Sequence, residues 1–157
     1  MTDFTVWKTA PFNAVIDHIL QRYHHVHRAQ LDELVPLAQK VAAVHADTFP
    51  AEVAELLAQM QSELLSHMMK EERVLFPMVG QGVGRGAAMP ISVMMHEHDE
   101  HDKTIARLRE LTNNFDIPAG ACGSWTRLYR LAEEMVNDLT DHIYLENEVL
   151  FPRVLAS

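Results

Sequence analysis

Cysteine is almost missing from this chain: Cys122 stands alone among 157 residues. No intrachain disulfide can form, and a cysteine-rich structural zinc site is excluded. Basic residues are also short, 13 against 22 acidic ones, for a formal charge of −9. No run of lysine or arginine exists, so nucleic acid and anionic membrane are poor partners. No apolar stretch approaches the ~20 residues of a membrane span. The start, Met1 to Lys8, lacks an apolar signal region. Together with the single cysteine, these features give the expectation of a cytoplasmic protein. Period-2 alternation long enough for a sheet is absent as well. Four of the six glycines crowd into Gly80–Gly86. No strand precedes them and a phosphate-loop spacing is lacking, so they read as a connector.

Histidine is present in excess, with ten copies. Their placement follows an internal repeat, the first thing to settle in any sequence. His67-Met68-Met69-Lys70-Glu71, running on to Val74-Leu75-Phe76-Pro77, is answered 75 residues later. There the chain reads His142-Ile143-Tyr144-Leu145-Glu146, running on to Val149-Leu150-Phe151-Pro152. The chain therefore reads as one domain, 1–157, built from two similar halves at about 10–82 and 90–157.

Four amphipathic helices account for the apolar spacing. The first runs from about Ala10 to Ala46, with Pro36 expected to kink it. The second runs from Pro50 to near Pro77, and the third from Pro90 to Phe115. The fourth starts between Ala119 and Trp125 and reaches the C-terminus. Short connectors between such helices predict an all-α antiparallel four-helix bundle. Phe76-Pro77 and Phe151-Pro152 read as helix ends that close an apolar wall.

On a helix, residues four apart share a face. Leu57, Met60, Leu64, His67, Glu71 and Val74 step by three and four, and so do Leu128, Ala132, Met135, Leu139, His142 and Glu146. Both His-x-x-x-Glu pairs thus occupy the buried seam, where an unpaired carboxylate is costly. Depth brings further histidines to the same level. His24 lies 22 residues before Ala46, while His67 and Glu71 lie 17 and 21 past Pro50. His98 lies 17 before Phe115, and His142 lies 18 past Ser124. Four His and two Glu converge: His24, His67, Glu71, His98, His142 and Glu146. Six such donors suit two metal ions, with both carboxylates able to bridge and coordination positions left open. A mixed imidazole and carboxylate set of this kind points to iron, with manganese as the other option. His96-Glu97 lacks the second His of a zinc-protease motif.

Other residues have lesser assignments. Glu63, Glu97 and Asp138 are candidates for supporting or proton-carrying groups around the ligands. His101, His27 and His45 remain open as additional ligands. His45, however, is 21 residues beyond His24, about 31 Å along a continuous helix. His18, His25 and His96 fall off the stripes and read as solvated. Cys122 falls in a loop and reads as incidental.

Several of these motifs together resemble hemerythrin-like di-iron proteins, and in particular the C-terminal domain of the repair-of-iron-centres (RIC) proteins. They are Tyr23-His24-x-x-His27-Arg28, Ser66-His67-Met68-Met69-Lys70-Glu71-Glu72, Pro90-Ile91-Ser92-Val93 and Glu97-His98-Asp99-Glu100. The last is Asp141-His142-x-x-Leu145-Glu146-Asn147 through Leu150-Phe151-Pro152. The resemblance implies a hemerythrin-like bundle with a non-haem centre of two iron ions. It implies a role in nitrosative and oxidative stress, either donating iron for iron–sulfur cluster repair or reacting with nitric oxide. Whether that makes the chain an enzyme stays open. The alternative is a module that binds, stores or senses oxygen reversibly, as hemerythrins do. The implied partners are a small diatomic ligand, nitric oxide or oxygen, and apo iron–sulfur proteins. Oxygen-carrying hemerythrins have five His, and His101 is the candidate for the fifth. Family members often carry an extra N-terminal domain with adjacent cysteines, and this sequence begins almost at the bundle, so roles resting on that thiol domain are not expected from the residues given.

Overall fold

The computed structural model describes residues 1–157, and helices account for all of its regular structure. Four long helices carry it. Helix α1 is the uninterrupted run Phe12–His18, Ile19–His24 and His25–Val44. Helix α2 joins Glu52–Lys70, Glu71–Leu75 and Phe76–Gly80. Helix α3 is Ala88–Leu111, and α4 joins Gly123–Tyr144, Leu145–Leu150 and Phe151–Ala156. Around the bundle α1 packs on α2, α2 on α3, α3 on α4 and α4 back on α1. Two short 3₁₀ turns, Thr5–Lys8 and Gly84–Ala87, close the end where the chain starts. This is the expected all-α four-helix bundle.

The core is divided into two apolar blocks. One holds Leu31, Leu34, Leu57, Leu64, Leu108, Leu128, Met135 and Leu139 among others. The other holds Val15, Ile19, Tyr23, Leu75, Ile91, Leu145, Leu150 and Phe151. Burying one such leucine or isoleucine contributes about 1.5–3 kcal/mol. A layer of buried polar residues occurs in every helix where its apolar stripe passes from one block to the other. These are His24 and His27 on α1, His67 and Glu71 on α2, His98 and His101 on α3, and Asp138, His142 and Glu146 on α4.

Three of the four helices widen into π-helical turns beside this layer. Ile19–His24, Glu71–Leu75 and Leu145–Leu150 have that geometry. Such turns are rare and concentrate at functional sites. They also correct the expectation for the two Phe-Pro steps. Pro77 and Pro152 do not end their helices; each sits in the first turn of a helical segment that follows a π turn. A first-turn proline forgoes a hydrogen bond that the register shift has already removed, so the helix continues. Helix α2 therefore extends to Gly80, beyond Pro77. Pro36 likewise lies inside α1, which continues to Val44. At the distant end, Asn113, Asn114 and Phe115 take φ of 51°, 60° and 60°, a left-handed turn that stops α3 at Leu111.

Candidate metal centre

Helix geometry presents the donors, and the bundle brings them within reach of one another. His24, Glu71, His142 and Glu146 have donor atoms within 4.8 Å of each other, and so do His67, Glu71, His98 and Glu146. The two groups share both carboxylates. Each pairs one histidine from the first half with one from the second, so neither half assembles a group alone. All six side chains are at most 1% exposed.

The donors stand as far apart as ligands on one ion would, a spacing that several of the pairs share with hydrogen bonds. His24 Nε2 lies 3.0 Å from Glu71 Oε1, and His98 Nε2 lies 2.9 Å from Glu146 Oε1. His142 Nε2 is 3.2 Å from Glu146 Oε2, and His67 Nε2 is 3.5 Å from Glu71 Oε1. His67 and His98 face each other Nε2 to Nε2 at 3.1 Å. Ligands at right angles on one ion with bonds of about 2.1 Å stand roughly 3.0 Å apart. Glu71 Oε2 is buried without any hydrogen-bond partner. Glu146 Oε1, despite its close approach to His98, also lacks one in hydrogen-bond geometry. Orphaned carboxylate oxygens at the centre of a buried cluster are costly unless a cation meets them.

Each imidazole is held from behind through Nδ1, which fixes its tautomer and leaves Nε2 facing the centre. His24 Nδ1 donates to Glu72 Oε2 at 2.6 Å, and Arg28 holds Glu72 in turn. His67 Nδ1 donates to Glu97 Oε1 at 2.9 Å, and Lys70 holds Glu97. His98 Nδ1 donates to Asn147 Oδ1 at 2.7 Å. His142 Nδ1 meets another ring, His27 Nε2, at 3.1 Å. From His27 the path continues to Gln30, Asp138 and Arg22. Rings also cover the site: Phe76 stacks on His24, Phe151 on His98 and Tyr23 on His142.

Charge follows burial. Burial pushes His24 down to about 4 and His67 to about 3, against an ordinary histidine near 6.5. His101 falls to about 4 for the same reason, reinforced by His98. Burial also lowers His98, but its contacts with the Glu146 carboxylate outweigh that and raise it. Glu71 rises well above the usual range through burial and the neighbouring Glu146 charge. Burial works on Glu146 too, yet His142 and His98 hold it well below. Without a cation, the balance of burial and neighbouring groups thus favours the protonated form of Glu71 and the ionised form of Glu146.

The other residues singled out by sequence divide. Glu97 reaches a ligand ring directly, and Asp138 does so through Gln30 and His27. Glu63 does not: it accepts from Gln59 on an exposed face. His27 backs His142 and belongs to neither group. His101 is buried, with Nδ1 unpartnered, and its ring stands 5.1 Å from that of His67, outside both groups. A polar cleft of about 530 Å³ opens beside it, lined by Glu63, Ser66, Lys70, Glu97 and Glu100 among others. His45 caps α1 at its far end, away from both groups. His25 and His96 are exposed, but His18 is half-buried and stacks on Trp7 at 4.2 Å, a correction to its solvated reading. Glu72 and Asn147 were missed from sequence. Their signal was present, since each directly follows a repeated Glu.

The hemerythrin HHE cation binding domain matches residues 15–154. The iron-sulfur cluster repair protein DnrN of Neisseria gonorrhoeae is 76% identical over 157 residues, covering all of both chains. The iron-sulfur cluster repair protein YtfE of Citrobacter koseri is 50% identical over 152 residues, 96% of this chain and 69% of its own length. Its counterpart in Pectobacterium atrosepticum is 48% identical over 156 residues, 98% of this chain and 71% of its own. No helix is long and apolar enough to cross a membrane. With nearly the whole bundle matched and its buried His and Glu layer in place to hold a cation, this chain belongs to the hemerythrin HHE cation-binding domain family, among relatives named as iron–sulfur cluster repair proteins.

Proposed function

We propose that this chain is a non-haem di-iron protein of nitrosative and oxidative stress, supplying iron for the repair of damaged iron–sulfur clusters or reacting with nitric oxide. The observation that carries the reading is the pair of overlapping four-donor groups sharing Glu71 and Glu146. In this reading His24 and His142 would hold one ion and His67 and His98 the other, with Glu71 and Glu146 common to both. Two imidazoles and two carboxylates leave coordination positions free on each ion, unlike a closed structural zinc site. Neutral nitrogen and carboxylate oxygen donors suit iron, with manganese as the competitor. When bound, the iron pair supplies open positions for a small diatomic ligand and ions that can be passed on.

The chain's own residues orient and shield. Glu72, Glu97, Asn147 and His27 fix the four rings, while Phe76, Phe151 and Tyr23 exclude water from one side. Glu97 lies where the His67 ring meets the polar cleft, placed to exchange protons with solvent. Reduction of nitric oxide to nitrous oxide consumes protons; reversible oxygen carriage does not. Apo iron–sulfur proteins are the partners this reading requires, and a cytoplasmic setting goes with it. The apolar cover over the rings supports the second reading, a module that binds or senses oxygen.

One experiment separates the two. The reduced, iron-loaded protein is exposed to oxygen and, separately, to nitric oxide. Iron transfer to an apo iron–sulfur protein, or nitrous oxide release lost in Glu71→Ala, is the expected result. A stable oxygen adduct that reverses under vacuum, with no iron loss and no nitrous oxide, establishes the oxygen module instead. One tightly bound zinc per chain overturns both.

A further inference from the structure

A row of aromatic rings runs from the buried histidine layer to the surface. Tyr23, only 2% exposed, stacks on the His142 ring with centroids 5.2 Å apart. Tyr23 and His18 meet edge to face at 5.7 Å, and His18 stacks on Trp7 at 4.2 Å. Rings at these separations are in contact. Trp7 and His18 are both half-buried, so the row ends in water. Trp7 is also held in place. The Arg153 guanidinium donates to the carbonyls of Trp7 and Ala10 at 2.6 and 2.7 Å and lies over the Phe12 ring.

The identity of the rings singles this row out. Tryptophan and tyrosine give up an electron more readily than phenylalanine or histidine. The chain has two tryptophans and three tyrosines. Trp125 and Tyr129 pack together beside His45 at the far end of the bundle, and Tyr144 is an exposed ring against Phe4. Of the three rings that cover the metal ligands, Phe76 and Phe151 resist oxidation and pass to no further aromatic ring. Tyr23 alone is both oxidisable and continued outward. Electron transfer falls off steeply with distance, so a row of touching rings is its favoured route.

We propose that Tyr23, His18 and Trp7 form an escape route that carries one-electron oxidation from the metal centre to the surface and spares the ligands. The route rests on the iron reading, because ferrous iron and hydrogen peroxide give an oxidant of the hydroxyl-radical class. That oxidant takes one electron from Tyr23, and Trp7 replaces it through the His18 ring. The Trp7 indole N–H then loses its proton. One hydroxyl radical, one electron and one proton make one water, and a neutral indole radical is left at the surface. A small thiol returns a hydrogen atom to the indole, and two of the resulting thiyl radicals couple to a disulfide.

The test loads the full chain with ferrous iron, measures the iron bound, and adds hydrogen peroxide. Freeze-quench paramagnetic resonance and peptide mass read the products. We expect an indole radical and then, in air, oxygen addition on the Trp7 peptide but not on the Trp125 peptide. A small thiol present from the start should prevent that addition. Trp7→Phe should move the radical to Tyr23, giving a phenoxyl signal. Tyr23→Phe keeps the stacked shape but breaks the route. Oxygen addition on Trp7 should then be lost and should appear on His142, with loss of bound iron. The metal-free chain given the same peroxide should keep Trp7 unmodified. Oxygen addition on Trp7 that persists in Tyr23→Phe or in the metal-free chain means attack from solvent and overturns the route. An unmodified Trp7 in the iron-loaded natural chain overturns it as well, and so does an indole signal that survives in Trp7→Phe. A chain that binds no iron overturns the centre itself, which the iron measurement shows before peroxide is added. Should Tyr23→Phe fail to hold iron, the radical seen in the natural chain and in Trp7→Phe still decides.

Discussion

His27 Nε2 lies 3.1 Å from His142 Nδ1, so one imidazole of the centre is held by another imidazole. With His142 Nε2 turned toward Glu146, the Nδ1–H donates outward to His27, whose own Nδ1–H donates to Gln30. His27→Phe fills a similar volume but leaves the buried His142 N–H without an acceptor. Metal affinity at the His24–His142 position should fall about 10–100-fold, with the other position spared. Competition against a chromophoric chelator reads both affinities. His101→Phe is the control, because that ring packs on His67 but makes no hydrogen bond to any of the four rings.

Glu71 and Glu146 set a proton balance. In the metal-free chain burial and the Glu146 charge raise Glu71 and favour its protonated form. A bridging carboxylate must be ionised, so metal binding displaces that proton. Loading at pH 7 in weak buffer should release about one proton per chain from this pair. Glu71→Gln should release none from it and should weaken both ions, since Glu71 belongs to both groups. Proton release that is the same in the variant would remove Glu71 as the source.

Much of this centre was legible in the sequence because helix geometry is periodic. Residues four apart must share a face, so a repeated His-x-x-x-Glu on an apolar stripe declares two inward-facing pairs. Counting residues from the helix ends then brought His24 and His98 to the same depth. The crossing of halves, His24 with His142 and His67 with His98, depends on how the helices are arranged around the bundle. Periodicity within one helix does not contain that arrangement. Glu97 and Glu63 both looked like flanking acids. Only the neighbouring helix decides that Glu97 reaches His67 and Glu63 faces water. The π turns were hidden for a related reason, since their hydrogen-bond register answers to packing rather than to local propensity. The stacking of Tyr23 on His142 joins the first helix to the fourth, and no pattern along the chain links them.

Acid should attack the metal-free protein earlier than it attacks most bundles. His24, His67 and His101 are held neutral at about 4, 3 and 4, and His27 well below its ordinary value. Their unfolded values lie near 6.5, so between pH 6.5 and about 4 the unfolded chain binds more protons than the folded one. Stability then rises with pH and is lost as pH falls, by up to about 1.4 kcal/mol per histidine per pH unit. Urea midpoints of the chelated protein should drop steadily across that window. A flat profile from pH 6.5 to 4 would mean these rings are not desolvated in solution.

Removing the metal should loosen one level of the molecule and leave another intact. Four histidines and two glutamates, none more than 1% exposed, occupy the layer between the two apolar blocks. Without ions, that layer contains the unpartnered Glu71 oxygen, and the donors beside the π turns have no ion to fix them. Each ion at a hundred times its dissociation constant stabilises the native state by about 2.7 kcal/mol. For a chain of this size two ions correspond to a rise of roughly 10–20 °C in melting midpoint. Chelation should therefore lower the midpoint by that much. Hydrogen exchange should speed up at residues 19–24, 71–75 and 145–150, where the π turns lie. The stretch of α4 from Leu128 to Leu139 packs in the larger apolar block, which needs no metal, and should stay protected. Equal midpoints with and without chelator would place the metal outside this layer. Uniform loss of protection along α4 would mean that the two blocks unfold as one unit.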